Sequence, residues 1–330
     1  MIVSQTPLRI SFVGGGSDMK EYWELSPGAV ISTTIDKYIY VIIKSRFDND
    51  IYLNYSKKEI VKSIDEIQHH LIREAMKKTG VLDGVEITTL ADIPSEGSGL
   101  GSSSSVLVGL LNALYAYKGI QVTAEKLAIE ACEIEIDILK RPIGKQDQYA
   151  SAFGGLNKIV FNTDNTVSVK KIGIKNGEIR QFGSNLLLFY TGLTRQSSQI
   201  LSDQILNLAS NKNILDDMVK LVNKFEEQLY IQSNSNLLGE LLNTNWEYKK
   251  ELSGKISNDI IEKMYSTALN SGACGGKISG AGGGGFLLLY IPREKQNLVR
   301  EMLNNYREFP FMFVPDGSKI IFNIQRDYWR

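Results

Sequence analysis

The sequence predicts an α+β fold in two domains, and three observations carry that expectation. The chain has 330 residues, and a domain commonly takes roughly 100–200. Strand-like runs rich in Ile, Val, Tyr and Thr crowd its first part, whereas long helix-forming stretches dominate after about residue 180. Strands and helices also mix without a steady strand–helix–strand alternation, which disfavours a doubly wound sheet. The composition shift places a domain boundary near 180–185, giving segments 1–183 and 184–330.

Taken in order, Leu8–Val13, Ala29–Ile35, Tyr38–Lys44 and Ile51–Tyr55 have strand composition. A helical pattern covers Asp65–Lys78, and Gly80 is placed to stop it. A strand is expected at Val85–Leu90, then a Gly/Ser loop, then an apolar helix to about Lys118. Thr123 is positioned to N-cap a helix running towards Lys140, before Pro142. Strands follow at Leu156–Phe161 and Leu186–Tyr190. Helices are expected over Ser198–Gln232, Asn236–Glu251 and Asn258–Ser271. After a glycine cluster come a strand at Phe286–Ile291, a helix near Arg293–Tyr306 and a last strand at Lys319–Ile324.

Composition narrows the class. A hydrophobic fraction of 43% and a charged fraction of 22% are ordinary for a globular protein. Lys+Arg and Asp+Glu both number 37, so the net charge is zero, against a nucleic-acid or membrane-surface partner. Cys132 and Cys274 are far apart and form neither a disulfide framework nor a zinc motif, which fits a reducing cytoplasm. With only His69 and His70, a histidine-ligated metal or a histidine-based triad has little to draw on. The longest apolar run, Phe286–Ile291, is too short to span a bilayer, and MIVSQTPLRI lacks a signal-peptide layout.

Three glycine-rich segments punctuate the chain: Gly14–Asp18, Pro94–Ser105 and Ser279–Gly285. The second is the most informative, because it joins a strand to the apolar helix Val106–Tyr117. Glycines let the backbone turn sharply and let a phosphate approach N–H groups. The helix start adds unpaired donors and partial positive charge, and the serine hydroxyls suit phosphate oxygens or Mg²⁺. No Gly-Lys-Ser/Thr follows, so this is not a Walker A loop and cationic help must come from elsewhere. The third segment contains a literal GxGxxG at Gly280, Gly282 and Gly285. It is expected to follow a helix and precede a strand, the reverse of the dinucleotide-binding order. A tight connection and a ligand loop both remain open for it.

Two acids stand out. On helix Thr123–Lys140, Glu135 has Ala128, Ala131, Cys132, Ile138 and Leu139 as helical neighbours, so it projects from an apolar face. A carboxylate there needs a cation or a metal. The run Glu-Ile-Glu-Ile-Asp-Ile also has local strand character, but the helical pattern is longer. Asp147, in Gly144–Gly155, lies at the start of an expected short helix beside Lys145; an early-turn aspartate complementing the dipole is the plain alternative.

Together these segments resemble the GHMP kinases, the superfamily of galactokinase and mevalonate kinase. Pro7–Asp18, Pro94–Ser104 and Lys277–Phe286 are similar to its three motifs, in order, and Gly144–Gly155 to its catalytic-aspartate segment. The resemblance covers positions 7 to 286. Gly-Gly-Gly-Ser-Asp and Gly-Lys-Gln-Asp-Gln-Tyr-Ala look most like the D-glycero-D-manno-heptose 7-phosphate kinase branch; the Gly-Glu-His of galactokinases is replaced by Gly14-Gly15-Gly16.

The resemblance implies a ribosomal-S5-like N-terminal half, a ferredoxin-like C-terminal half and a site in the cleft between them. It implies an ATP-dependent kinase acting on the anomeric hydroxyl of a sugar phosphate. Asp147 would be the general base, and Arg9 would assist it and stabilise charge on the transferring phosphoryl group. Gly97, Gly99, Leu100, Gly101, Ser102, Ser103 and Ser104 would hold ATP, and Ser103 and Glu135 would hold Mg²⁺. Gly16, Asp18 and Gly282 would meet the sugar, with Lys145, Arg195 and Lys277 as candidates for its phosphate. A galactokinase- or fucokinase-like enzyme on a neutral sugar is the alternative. A catalytically dead sensor fits the joint presence of Arg9, Asp147 and Glu135 less well, and a diphosphomevalonate-decarboxylase-like lyase fits the Arg9/Asp18 pairing poorly.

Overall fold

The computed structural model describes residues 1–93, 97–194, 197–233 and 235–324. Two long antiparallel strands, β1 (Ile2–Val13) and β2 (Gly28–Ser45), form its spine. The two short strands expected at Ala29–Ile35 and Tyr38–Lys44 are one continuous strand. The β1–β2 register shifts between Pro7 and Leu8, opposite residues 35–38. That irregularity lets β2 change partner partway along. Gly28–Ser32 pairs with β6 (Asn157–Phe161), and Ile39–Ser45 pairs with β5 (Val85–Ala91).

Beyond β5 the sheet continues through β3 (Ile51–Asn54) and β4 (Lys58–Val61). The β3–β5 pair is parallel, while the other described pairs are antiparallel. β7 (Val167–Lys171) extends the sheet from β6. A second sheet, in the order β11-β8-β10-β9, comprises β8 (Leu186–Tyr190), β9 (Gly275–Ile278), β10 (Phe286–Tyr290) and β11 (Arg307–Glu308). The chain then returns: β12 (Phe313–Val314) joins β2, and β13 (Lys319–Asn323) joins β1. Such long-range pairing leaves no trace in local composition.

Helix α1 is the single turn Lys20–Trp23, and α2 is His70–Thr79, stopped by Gly80 at φ +69°. α3 (Ser102–Tyr117) is buried on almost every side, as its unbroken apolar character requires. Gly109 lets it press onto β1, where Ser4 Oγ donates to the Gly109 carbonyl at 2.9 Å. Thr123 caps α4 (Ala124–Cys132) by accepting from the Lys126 N–H, as expected. The helix continues through Glu133–Ile138 with π-type bonding, so the strand reading of the Glu-Ile repeat fails. Such segments frequently occur at functional sites. α5 (Gln146–Phe153) follows at once.

In the second half, α6 (Asn176–Ser184), which the sequence did not suggest, precedes β8. The single helix expected over Ser198–Gln232 is two, α7 (Ser197–Leu206) and α8 (Leu208–Ile231), interrupted at Asn207. α9 (Asn236–Glu251), α10 (Asp259–Asn270) and α11 (Gln296–Met302) complete the set. No helix among the described residues is long and apolar enough to cross a membrane.

An aromatic cluster joins the two halves. Phe12 of β1 lies 5.1 Å from Phe182 of α6 and 5.7 Å from Phe225 of α8, and Phe182 lies 5.7 Å from Phe313 of β12. Phe182 is fully buried at the centre of this group. Phe182→Ala is expected to cost about 3–5 kcal/mol of stability, read by denaturant unfolding. An unchanged midpoint would mean that the cluster does not hold the halves together.

Candidate active site

A cleft of about 820 Å³ lies where all three glycine segments meet. Its shape depends on two loops packed backbone to backbone. Gly97, Gly99 and Gly101 all have left-handed φ values, of +71°, +73° and +78°. A Cβ on Gly99 would stand 2.3 Å from the Ser279 carbonyl oxygen, and one on Gly285 would stand 2.6 Å from that of Ser98. The third glycine segment is therefore built for close approach to the second. It lies between β9 and β10, not between a helix and a strand as expected. β9 was hidden because it begins Gly275-Gly276, where α9 and β10 leave no room for side chains: Cβ atoms there would stand 2.0 and 2.2 Å from carbonyl oxygens.

Gly101 directly precedes α3, so the first N–H groups of that helix face the cleft. Ser102, Ser103 and Ser104 line it with Gly97, Gly99 and Gly101. Leu100 does not line it; its side chain is fully buried, and its carbonyl accepts from the Arg9 N–H at 3.0 Å. Beneath the loop lies an ion pair. Arg9 Nε and Nη2 donate to the two carboxylate oxygens of Asp147 at 2.7 and 2.8 Å, and Nη1 donates to the Gly99 carbonyl at 2.6 Å. A Cβ on Gly101 would be 3.1 Å from Arg9 Cγ and 3.3 Å from Asp147 Oδ2, so the loop rests directly on the pair.

Asp18 also faces the cleft and accepts from the N–H groups of Gly16 and Gln146, at 3.0 and 3.3 Å. Burial, and then the charge of Asp147, raise its carboxyl above the usual range. Gly16 and Gly282 line the cleft as well.

Glu135 is fully buried, as its place on an apolar helix face requires. Its carboxylate accepts from Ser104 Oγ at 2.7 Å, Gln148 Nε2 at 2.7 Å, Arg141 Nη1 at 2.9 Å and Ser103 Oγ at 3.0 Å. Burial pushes its carboxyl up, against these bonds. Arg141 Nη1 also donates to Ser103 Oγ at 2.6 Å, so a guanidinium sits between Ser103 and Glu135. A hydroxyl and a carboxylate that jointly hold a cation match the hard oxygen chemistry of Mg²⁺, which takes few protein ligands beside phosphates and water. The residues fit such an ion once Arg141, about one-third exposed, gives way.

One expected residue takes another place. Lys145 is absent from the cleft lining; its ammonium turns to the Asn165 carbonyl (3.1 Å) and side chain and lies 4.0 Å from the Trp23 ring centroid. It lines a separate hollow of about 350 Å³. Sequence adjacency to Asp147 misled here, because the two straddle the start of α5. Arg195 lies outside the described residues.

Lys277 does line the cleft, fully buried, with Nζ donating to the Phe12 carbonyl at 3.2 Å. Lys249 was missed. It lies on the buried face of α9, with Leu242, Asn245 and Trp246 seven, four and three residues before it. A charge on an apolar helix face was the signal used for Glu135, and it was equally present here.

This geometry agrees with the comparisons. The GHMP kinases N terminal domain family matches residues 52–155, and the GHMP kinases C terminal family matches residues 225–308. The D-glycero-alpha-D-manno-heptose 7-phosphate kinase of Campylobacter jejuni is 31% identical, over 96% of this chain and 98% of that protein. The galactokinase of Pyrococcus furiosus is 24% identical, over 92% of each chain. Among solved structures, a D-glycero-D-manno-heptose 1-phosphate kinase from Bacteroides thetaiotaomicron superposes with a TM-score of 0.83 at 25% identity, covering 98% of this chain and 100% of that one. The chain belongs to the GHMP kinases: it is a sugar kinase that uses ATP.

Gly99→Ala would force a left-handed backbone onto a side chain and drive Cβ into the Ser279 carbonyl. Strain of about 1–3 kcal/mol should weaken ATP binding roughly five- to a hundredfold, read by titration calorimetry. Unchanged affinity would separate the loop contact from nucleotide binding.

Proposed function

We propose that this kinase transfers the γ-phosphoryl group of ATP to the anomeric hydroxyl of a sugar that already carries a phosphate, with D-glycero-D-manno-heptose 7-phosphate as the leading candidate. The observation that carries this reading is the Arg9–Asp147 pair seated under the glycine loop. It puts a carboxylate base and a phosphoryl-stabilising cation at one point. The heptose-kinase relatives supply the sugar. The balance of buried charge supports a second phosphate. Arg9 is met by Asp147 and Glu135 by Arg141, whereas buried Lys249 has no ion-pair partner among the described residues.

In this reading Asp147 accepts the proton of the anomeric hydroxyl. The freed oxygen bonds to the γ-phosphorus, the bridging bond to the β-phosphate breaks, and ADP leaves. Arg9 holds Asp147 in place with two hydrogen bonds and faces the charge that spreads over the transferring group. The N–H groups at the start of α3 and the hydroxyls of Ser102–Ser104 cradle the triphosphate. Asp18 and the Gly16 backbone orient the sugar hydroxyls. Mg²⁺, held by Ser103 and Glu135, would neutralise charge on the β- and γ-phosphates.

Asp147→Asn preserves shape but removes the basic oxygen. It should lower kcat by about 10²–10⁴ and leave ATP affinity nearly unchanged. Full activity would reduce Asp147 to an early-turn helix residue. Glu135→Gln should raise the Mg²⁺ concentration needed for half-maximal rate and weaken Mg²⁺-dependent binding of an ATP analogue. If Glu135 only packs, thermal stability should move and the metal titration should not. The substrate is tested by ADP release over a panel of sugars and sugar phosphates; equal kcat/KM with and without the phosphate would favour a neutral sugar.

A further inference from the structure

Lys249 is 3% exposed, yet its Nζ makes no hydrogen bond or ion pair with any described residue. Nothing in the mechanism above uses it. A buried ammonium without a partner is costly, and this one faces the cleft. A second polar group shares its situation. Gln204 of α7 is 5% exposed, lines the same cleft, and leaves both its amide nitrogen and its amide oxygen unpartnered among the described residues.

The Gly14–Asp18 turn leaves both groups uncovered. A Cβ on Gly15 would lie 3.7 Å from Lys249 Nζ, and one on Gly16 would lie 3.8 Å from Gln204 Oε1. Any longer side chain at these positions would stand in front of the lysine or the glutamine. With two glycines, Lys249 and Gln204 stay open to the cleft that they line with Asp18. Asp18 acts on the Lys249 ammonium more strongly than Asp147 does, and Asp18, Gly15 and Gly16 line the same cleft.

We infer that Lys249 and Gln204, reached past the bare Gly15-Gly16 backbone, form the subsite that receives the phosphate the sugar already carries. The inference rests on the substrate reading above and adds the residues that enforce it. A phosphate dianion there would gain a charge-assisted bond from the ammonium and a donor from the amide. Lys277 is a second buried amine lining the cleft, bonded to the Phe12 carbonyl, and burial holds its ammonium well below the usual lysine range. The subsite replaces Lys145, whose ammonium is turned to Asn165.

Two readouts separate this role from packing. The first is substrate preference, measured as kcat/KM for heptose 7-phosphate against the same heptose without phosphate. Lys249→Met should lower the value for the phosphorylated sugar by about 10²–10³, chiefly through KM. The loss on the free sugar should be much smaller, so that the preference collapses. Lys249→Arg should keep most of it. Gly15→Asp retains the lysine but gives it a counterion, and should also abolish the preference; it carries the test if Lys249→Met fails to fold.

The second readout is pH. Burial brings the Lys249 ammonium down to about 8 in the free protein. Its protonated form binds phosphate, so KM for the phosphorylated sugar should rise as pH climbs through 8. Lys249→Met should flatten that rise. The charged groups facing Lys249 are Asp18, Arg9, Asp147 and Lys277, and they are common to both proteins.

A wild-type enzyme that prefers the phosphorylated sugar, with Lys249→Met and Gly15→Asp keeping that preference, would overturn the subsite and leave the substrate reading intact. Equal losses on both sugars together with a raised KM for ATP would overturn it by assigning Lys249 to the nucleotide. A wild type without preference would overturn both.

Discussion

The site depends on one ion pair. Arg9 lies on a central strand, 4% exposed, and its guanidinium would be costly there without an acid. Asp147, from the first turn of α5, supplies a two-point match. The remaining Arg9 contact, to the Gly99 carbonyl, fixes the glycine loop to the same point. One strand, one helix start and one loop are thus held together by a single guanidinium. A lysine could not do this, since it lacks the planar fork that makes three directed bonds at once.

Around that pair the glycines set distances. The second and third glycine segments touch through carbonyl oxygens and backbone, with no side chains between them. This brings β9 and β10 of the second sheet against the loop that opens α3, so residues from both sheets line one cleft. The Phe12–Phe182–Phe225 cluster ties β1 to α6 and α8 with apolar contacts. The spacing of the cleft-lining residues therefore rests on backbone contact between the two glycine segments.

The sequence revealed residues whose surroundings are local. The strand–loop–helix order around Pro94–Ser105 pointed to a loop whose residues line the cleft, and helical periodicity placed Glu135 on a buried face, where it lies. Long-range matters were less visible. The return of β13 to β1, the merging of two expected strands into β2, and the strand character of Gly275–Ile278 all depend on distant partners. Lys145 was assigned by sequence adjacency to Asp147, but the start of α5 turns the two in different directions. Lys249 carried a legible signal, a charge on an apolar face, that was applied to the acid and not to the lysine.

The central claim is that the Arg9–Asp147 pair marks the point of phosphoryl transfer. A crystal structure of the enzyme with a non-hydrolysable ATP analogue and the sugar phosphate tests it most directly. The account predicts the anomeric oxygen within about 2.6–3.2 Å of an Asp147 carboxylate oxygen, with the γ-phosphate above Arg9 and in line with that oxygen. A complex in which another hydroxyl meets Asp147, or in which the γ-phosphate lies away from Arg9, would contradict it.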